Sequence, residues 1–344
     1  MKIIVTGGCG FLGSHVCEYF LKKGDKVVAF DNLTKYELTR TGYVTDQARN
    51  YNLDLVKRLG AEFIKGDIRN YDQLLASARG CDFIIHTAAQ PAMTISWEDP
   101  DLDFTTNVQG TFNVLKIARE LKIPVASCAT IHIYGTKINE ELKEGETRYL
   151  RTPEEINEDY PTLTGILTPL HASKRSAEIY LQTFIDTYNI TAASFRLTGI
   201  YGPNQFGGED HGWVANFAIR AILGIPINIF GTGKQVRDII YARDVAEAFD
   251  AFYQKRKSGV YNIGGGKITA ISLIECIDLL KEITGKDIKV NFRPDRLGDL
   301  RYFMCDTAKA KKELGWQAQT LPKEGIANLV EWIKNNINLF KTGR

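Results

Sequence analysis

The sequence predicts an α/β fold, a doubly wound parallel sheet followed by a smaller C-terminal α/β lobe. Three observations predict it. Short apolar runs alternate with amphipathic stretches through the first third of the chain. A cluster of glycines sits where the first such run gives way to a helical pattern. The alternation breaks after Gly135 and turns irregular after Gly202.

The elements follow in order. Residues 2–6 (KIIVT) read as a short buried strand, 11–23 as a helix and 26–30 (KVVAF) as a second strand. Residues 62–65, 82–86 and 124–128 continue the strand series, with helices expected over 71–78 and 101–121. The polar, Glu- and Thr-rich stretch 137–159 reads as a surface loop. A long helix is expected over 169–188 and a strand over 191–195. Beyond it, turns fall at Gly207-Gly208, Gly231-Thr232-Gly233 and Gly264–Gly266, and helices are expected over 214–223, 245–254, 272–283 and 323–335. The expected division is residues 1–195 for the first domain, with later elements returning to it, and 196–344 mainly for the lobe.

Composition narrows the function classes. The chain has 344 residues, 44% of them hydrophobic, enough for a large domain and a lobe. Lys+Arg number 43 against Asp+Glu 41, a balance with no nucleic-acid or membrane-surface footprint. The six cysteines form neither CxxC pairs nor zinc-spaced Cys/His clusters, so no metal site is expected. They read as buried thiols of a reducing compartment. No leader-like segment opens the chain, and no apolar run nears the ~18 residues of a membrane span. The expectation is a cytoplasmic protein with neither nucleic-acid nor membrane partners.

The glycines carry the first chemistry. Thr6-Gly7-Gly8-Cys9-Gly10-Phe11-Leu12-Gly13 places Gly7, Gly10 and Gly13 in GxxGxxG spacing between strand and helix. One glycine serves the tight turn, one the close approach of backbone to a pyrophosphate, one the helix–strand packing. The helix start turns free N–H groups and its positive dipole end toward phosphate. Asp31 closes the second strand where an acid would accept from adenosine hydroxyls and repel a 2′-phosphate. The pattern is that of a Rossmann-type domain binding NAD rather than NADP.

At this point the whole chain resembles the extended short-chain dehydrogenase/reductases that act on nucleotide-sugars. The carriers are Gly66-Asp67-Ile68, His86-Thr87-Ala88-Ala89-Gln90, Asn107-Val108-Gln109-Gly110-Thr111, Thr130-Ile131-His132-Ile133-Tyr134-Gly135, Arg196, Tyr201-Gly202-Pro203-Asn204 and Gly233-Lys234-Gln235-Val236-Arg237-Asp238. Within that family it is most similar to the CDP-tyvelose (CDP-paratose) 2-epimerases. That similarity rests on Gln90-Pro91-Ala92-Met93-Thr94, Glu146-Thr147-Arg148-Tyr149, Gln205-Phe206 with Gly212-Trp213-Val214, and the segment 233–238.

The resemblance implies roles residue by residue. Gly7, Gly10, Phe11, Leu12, Gly13, Asp31, Asn32, Asp67, Ile68, Ala88, Ala89, Gln90, Asn107 and Lys174 would hold NAD. Thr94, Thr198, Asn204, Arg237 and Arg301 would hold a nucleotide-diphosphate sugar, the two arginines gripping the diphosphate through their planar forks. For Arg237 the other reading is a salt bridge with Asp238; for Arg301, in an Asp299-Leu300-Arg301 setting with Asp295 nearby, it is likewise a surface salt bridge. A homodimer or homotetramer through a contact that includes the Lys174 helix is also implied.

One departure stands out. The family works with Tyr-x-x-x-Lys on a helix, where residues four apart share a face. Its phenolate takes a hydroxyl proton as hydride leaves to NAD. Here the segment is Pro169-Leu170-His171-Ala172-Ser173-Lys174, so Leu170 stands where the tyrosine should be. Three explanations compete. Another group took over proton transfer, with His132 the first candidate and His171 the second, since imidazole titrates near neutrality. Alternatively, Leu170 is an inactivating change, engineered or natural. In the third, the protein only senses NAD or a nucleotide-sugar. The favoured expectation is an NAD-dependent epimerase acting by transient oxidation of a ring carbon, C2 first. Thr130 would hydrogen-bond the reacting oxygen, Lys174 orient the ribose, and His132 or His171 move the proton. A dehydrogenase or dehydratase is the alternative.

Overall fold

The computed structural model describes residues 1–34, 38 and 40–341. Its centre is a seven-stranded parallel sheet of β1 (Lys2–Thr6), β2 (Lys26–Asp31), β3 (Glu62–Lys65), β4 (Phe83–His86), β5 (Val125–Thr130), β6 (Ala192–Leu197) and β7 (Gly259–Ile263). The spatial order is 3-2-1-4-5-6-7, with the chain reversing direction across the sheet between β1 and β4. The inner strands β1, β2 and β4 carry continuous buried apolar runs, Ile3–Val5, Val27–Phe30 and Phe83–Ile85, because both faces are covered. Val16, Phe20, Phe249 and Phe252 fill one side, and Leu74, Val114, Leu115, Leu181 and Phe184 the other. Ligands of such sheets bind at the carboxyl ends of the strands where the order reverses, here the ends of β1 and β4.

Three helices position the site: α1 (Phe11–Lys22) after β1, α2 (Thr111–Leu121) before β5, and α3 (Pro169–Tyr188) before β6. The lobe follows. Strand Val236–Tyr241 is its hub, paired with Gly199–Tyr201, Ala270–Ser272 and Tyr302–Phe303. Ile227–Phe230 pairs with Val290–Arg293. Its own core joins Phe217, Ile227, Ile277, Leu280, Ile326 and Leu329. Strand β7 and helix Ala242–Lys255 return the chain to the large sheet from within the lobe sequence.

Two expectations need correction. The helix expected over 101–121 is three pieces: Pro100–Phe104, a π-helical turn Thr105–Gly110, and α2. The Asn107 amide is drawn out of the turn onto the backbone of Gln90, 2.9 Å to its N and 3.0 Å to its O, a side-chain demand that periodicity does not register. The 137–159 segment is not only surface. Ile138, Tyr149 and Ile156 are buried in a small cluster with Tyr302 and Phe303, and a short hairpin joins Lys143–Glu144 to Tyr149–Leu150. Among the described residues no helix is long and apolar enough to cross a membrane.

Candidate active site

A cleft of about 560 Å³ runs over the carboxyl edge of the sheet and on between the sheet and the lobe. At one end lies the glycine turn. Gly7 has φ +71°, and a Cβ there would stand 2.7 Å from the Ala88 nitrogen. A Cβ on Gly13 would collide with the Gly7 carbonyl. Gly10 is less crowded and ends at α1 without a side-chain cap, so the helix N–H groups stay open toward the cleft. Asp31 accepts from Cys9 N at 2.9 Å and Leu33 N at 2.7 Å, which fixes its carboxylate at the end of β2. Asn32 donates to Asp67 at 3.1 Å. Arg69 hydrogen-bonds Asp67 and is the main reason its carboxyl is held down to about 2, with burial opposing. Phe11, Leu12, Ile68, Ala88, Ala89 and Gln90 line the same stretch.

Behind this wall, Thr6 Oγ1 and His86 Nδ1 lie 2.7 Å apart, and His86 Nε2 reaches Thr111 at 3.0 Å. Burial, aided by the charge of Lys174, pushes His86 down to about 3, so a neutral ring ties β1 to β4 and α2. Asn107 does not line the cleft. It braces it, holding Gln90 through both backbone bonds and reaching Asp103 at 3.0 Å and Ser173 at 3.2 Å.

The middle of the cleft holds Thr130, His132, Leu170 and Lys174. Thr130 ends β5, and its hydroxyl accepts from His132 N at 3.3 Å, capping the short turn Ile131–Tyr134. His132 Nδ1 is buried without a partner among the described residues. Burial first, then the charges of Arg237 and His171, press its pKa to about 3, so its ring is neutral. Leu170 and Lys174 share one face of α3, and Leu170 puts a methyl-rich wall where a phenol was expected. Burial lowers the Lys174 ammonium, while Cys128 and Asp103 oppose it. His171 is placed differently. Its Nδ1 accepts from Thr168 N at 3.1 Å and lies 2.6 Å from Thr168 Oγ1, capping α3. This leaves the proton of the neutral ring on Nε2, which is buried without a partner among the described residues. Burial pushes His171 down to about 4. Its ring stands edge-on to His132 at 5.8 Å and does not line the cleft.

At the lobe end, Thr198, Asn204 and Arg237 line the cleft. The Thr198 hydroxyl is buried without a partner among the described residues, and Asn204 takes φ +66°. Arg237 donates to Val236 O at 2.8 Å and faces Asp299 at 3.5 Å, not Asp238. Thr94 and Arg301 are not brought to the cleft. The Thr94 hydroxyl binds Asp210 at 3.0 Å. Arg301 pairs with Asp295 at 2.6 Å on the surface, 43% exposed. The other arginine at the lobe end of the cleft is Arg296, 3.5 Å over the Phe230 ring and 3.7 Å from Asp210. Two arginines five residues apart give sequence spacing nothing to choose between. The turn at Gly298 (φ +77°) decides, bringing Arg296 and Asp299 to the cleft while Arg301 is held by Asp295.

The arrangement sets the glycine turn and Asp31 at one end of the cleft and Arg237 and Arg296 at the other, with Thr130, His132, Leu170 and Lys174 between them. A family model described as NAD dependent epimerase/dehydratase family matches residues 3–264. The chain is 32% identical to the CDP-paratose 2-epimerase of Salmonella typhi, covering 96% of this chain and 99% of that protein. Among solved structures, the UDP-glucose 4-epimerase of Thermotoga maritima with UDP-glucose superposes at a TM-score of 0.82, 29% identical over 98% of this chain and all of that one. The Thermus thermophilus UDP-glucose 4-epimerase complex with NAD gives 0.79 at 30% identity, with coverage of 98% and 100%.

Proposed function

The chain belongs to the NAD dependent epimerase/dehydratase family, and from that premise we propose that it epimerises a nucleotide-diphosphate sugar at C2 by transient oxidation. The observation that carries the reading is the single cleft that joins the glycine cradle, Thr130, His132, Lys174, Arg237 and Arg296. The full-length likeness to a 2-epimerase supports C2. The residues fit NAD. A Cβ would fill the turn at Gly7 and Gly13, the start of α1 faces the cleft uncapped, and the Asp31 carboxylate is fixed at the end of β2. Held by these residues, NAD would supply a reversible hydride acceptor for the ring carbon, with no net redox.

The chain's own residues do the rest. Arg237 and Arg296 hold the diphosphate. The Thr130 hydroxyl hydrogen-bonds the oxygen that turns from alcohol to ketone. Lys174 holds the nicotinamide ribose and adds positive charge where the oxygen becomes negative. Leu170 cannot take the alcohol proton, so the imidazole of His132 takes it and returns it. Its basicity is low first because of burial and then because of Arg237. A diphosphate on Arg237 offsets the second of these and so raises the basicity of His132. His171 supports this by capping α3 rather than by reaching the substrate. Exposed Phe104, Ile179 and Tyr180 beside or on α3 support a homo-oligomer.

A second reading, binding without turnover, draws on Leu170 itself. Both are tested by incubating the purified protein with CDP-, UDP- and GDP-sugars in deuterated water and following products by NMR. An epimer free of solvent deuterium is expected. Water loss with deuterium at C5 or C6 points to a dehydratase, and accumulating NADH to a dehydrogenase. Tight binding with no product selects the second reading.

A further inference from the structure

Lys174 poses an electrostatic problem. Its ammonium is half-buried, forms no hydrogen bond among the described residues, and faces Leu170 instead of a phenol oxygen. Taking an ammonium out of water without a counter-charge favours its neutral form. Two groups oppose that on Lys174: the Cys128 thiol and Asp103. Burial pushes Cys128 up to about 12, so it carries no charge. His86, also near, is neutral. Among the described residues, Asp103 is the one remaining anion of the two.

Asp103 is built in rather than incidental. It sits in the short helix Pro100–Phe104 directly before the π-helical turn, 1% exposed. One carboxylate oxygen accepts from Gln90 Nε2 and Asn107 Nδ2, each at 3.0 Å. Asn107 Nδ2 also donates to the Ser173 hydroxyl, next to Lys174 on α3, at 3.2 Å, which joins the carboxylate to that helix. Burial favours the neutral form of Asp103, while the hydrogen bonds around it and Lys174 favour the charged one.

We propose that Asp103 is the buried counter-charge that keeps Lys174 protonated and aimed at the nicotinamide ribose, in a site where Leu170 has removed the usual oxygen. This rests on the NAD reading above. Asp103 does not line the cleft, so it is a positioning residue acting through Lys174.

The test reads Lys174 directly. Wild type, Asp103→Asn and Ser173→Ala are acetylated briefly with acetic anhydride from pH 6 to 11, and the Lys174 peptide is quantified by mass spectrometry. Asparagine keeps the shape and the acceptor oxygen but not the charge; Ser173→Ala removes a hydrogen bond but keeps the charge. The labelling midpoint of Lys174 should fall by about one pH unit or more in Asp103→Asn and stay in place in Ser173→Ala. An unmoved midpoint in Asp103→Asn overturns the proposal, as does an equal fall in both variants. NADH titration by fluorescence runs beside it, with Asp103→Asn losing more affinity at pH 9 than at pH 7. Wild type that binds no NADH at any pH overturns the NAD reading instead, and the labelling midpoint still decides the role of Asp103.

Discussion

At the residue scale the site turns on two side chains that face one cleft, Leu170 and His132. His132→Ala should lower kcat by roughly 10²–10⁴-fold, the usual worth of a positioned acid/base, while bound nicotinamide measured by absorbance stays at the wild-type level. Unchanged turnover would remove His132 from proton transfer. Much of this was legible in the sequence, because glycine spacing, an acid at a strand end and Lys174 on α3 each follow from local pattern. The choice between Arg296 and Arg301 was not. It depends on a left-handed turn at Gly298 and on the pairing of Arg301 with Asp295. The capping role of His171 was equally hidden, since a residue beside the expected tyrosine looks catalytic until its Nδ1 is found on Thr168.

At the element scale the cleft depends on joints between strands and helices. The Thr6–His86–Thr111 brace ties three of them through a ring that must stay neutral. Its folded pKa of about 3 lies below the ordinary 6.5. Between those values the unfolded chain binds the proton more readily, so the contribution is complete above pH 6.5 and is lost as pH falls toward 3. Urea unfolding between pH 6 and 4 should therefore show a slope from this residue of up to roughly 1.4 kcal/mol per pH unit, and His86→Asn should make the acid loss shallower. Strands and most helices were legible because their apolar periods are local. The π-helical turn was not, because it answers to the Asn107 amide and the Gln90 backbone, 17 residues apart.

At the scale of the whole molecule, the doubly wound class followed from the βαβ rhythm, and the observed order 3-2-1-4-5-6-7 carries it through. The lobe was legible only in outline. Its sheets join segments distant in sequence, such as Ile227–Phe230 with Val290–Arg293, and local pattern does not say which strands will meet. Phe104, Ile179 and Tyr180, 58%, 47% and 43% exposed, mark the face expected to meet a second copy. Light scattering should give a dimer or tetramer, and Tyr180→Glu should shift it toward monomer. A monomeric wild type at micromolar concentration would contradict this.

The central claim is that hydride leaves and returns to one carbon with NAD as the temporary holder. A nucleotide-diphosphate sugar deuterated at C2 tests it most directly, with CDP-sugars first. The expected result is the C2 epimer with its deuterium retained on C2 in ordinary water. Deuterium washed out to solvent, or product altered at another carbon, would contradict transient oxidation at C2.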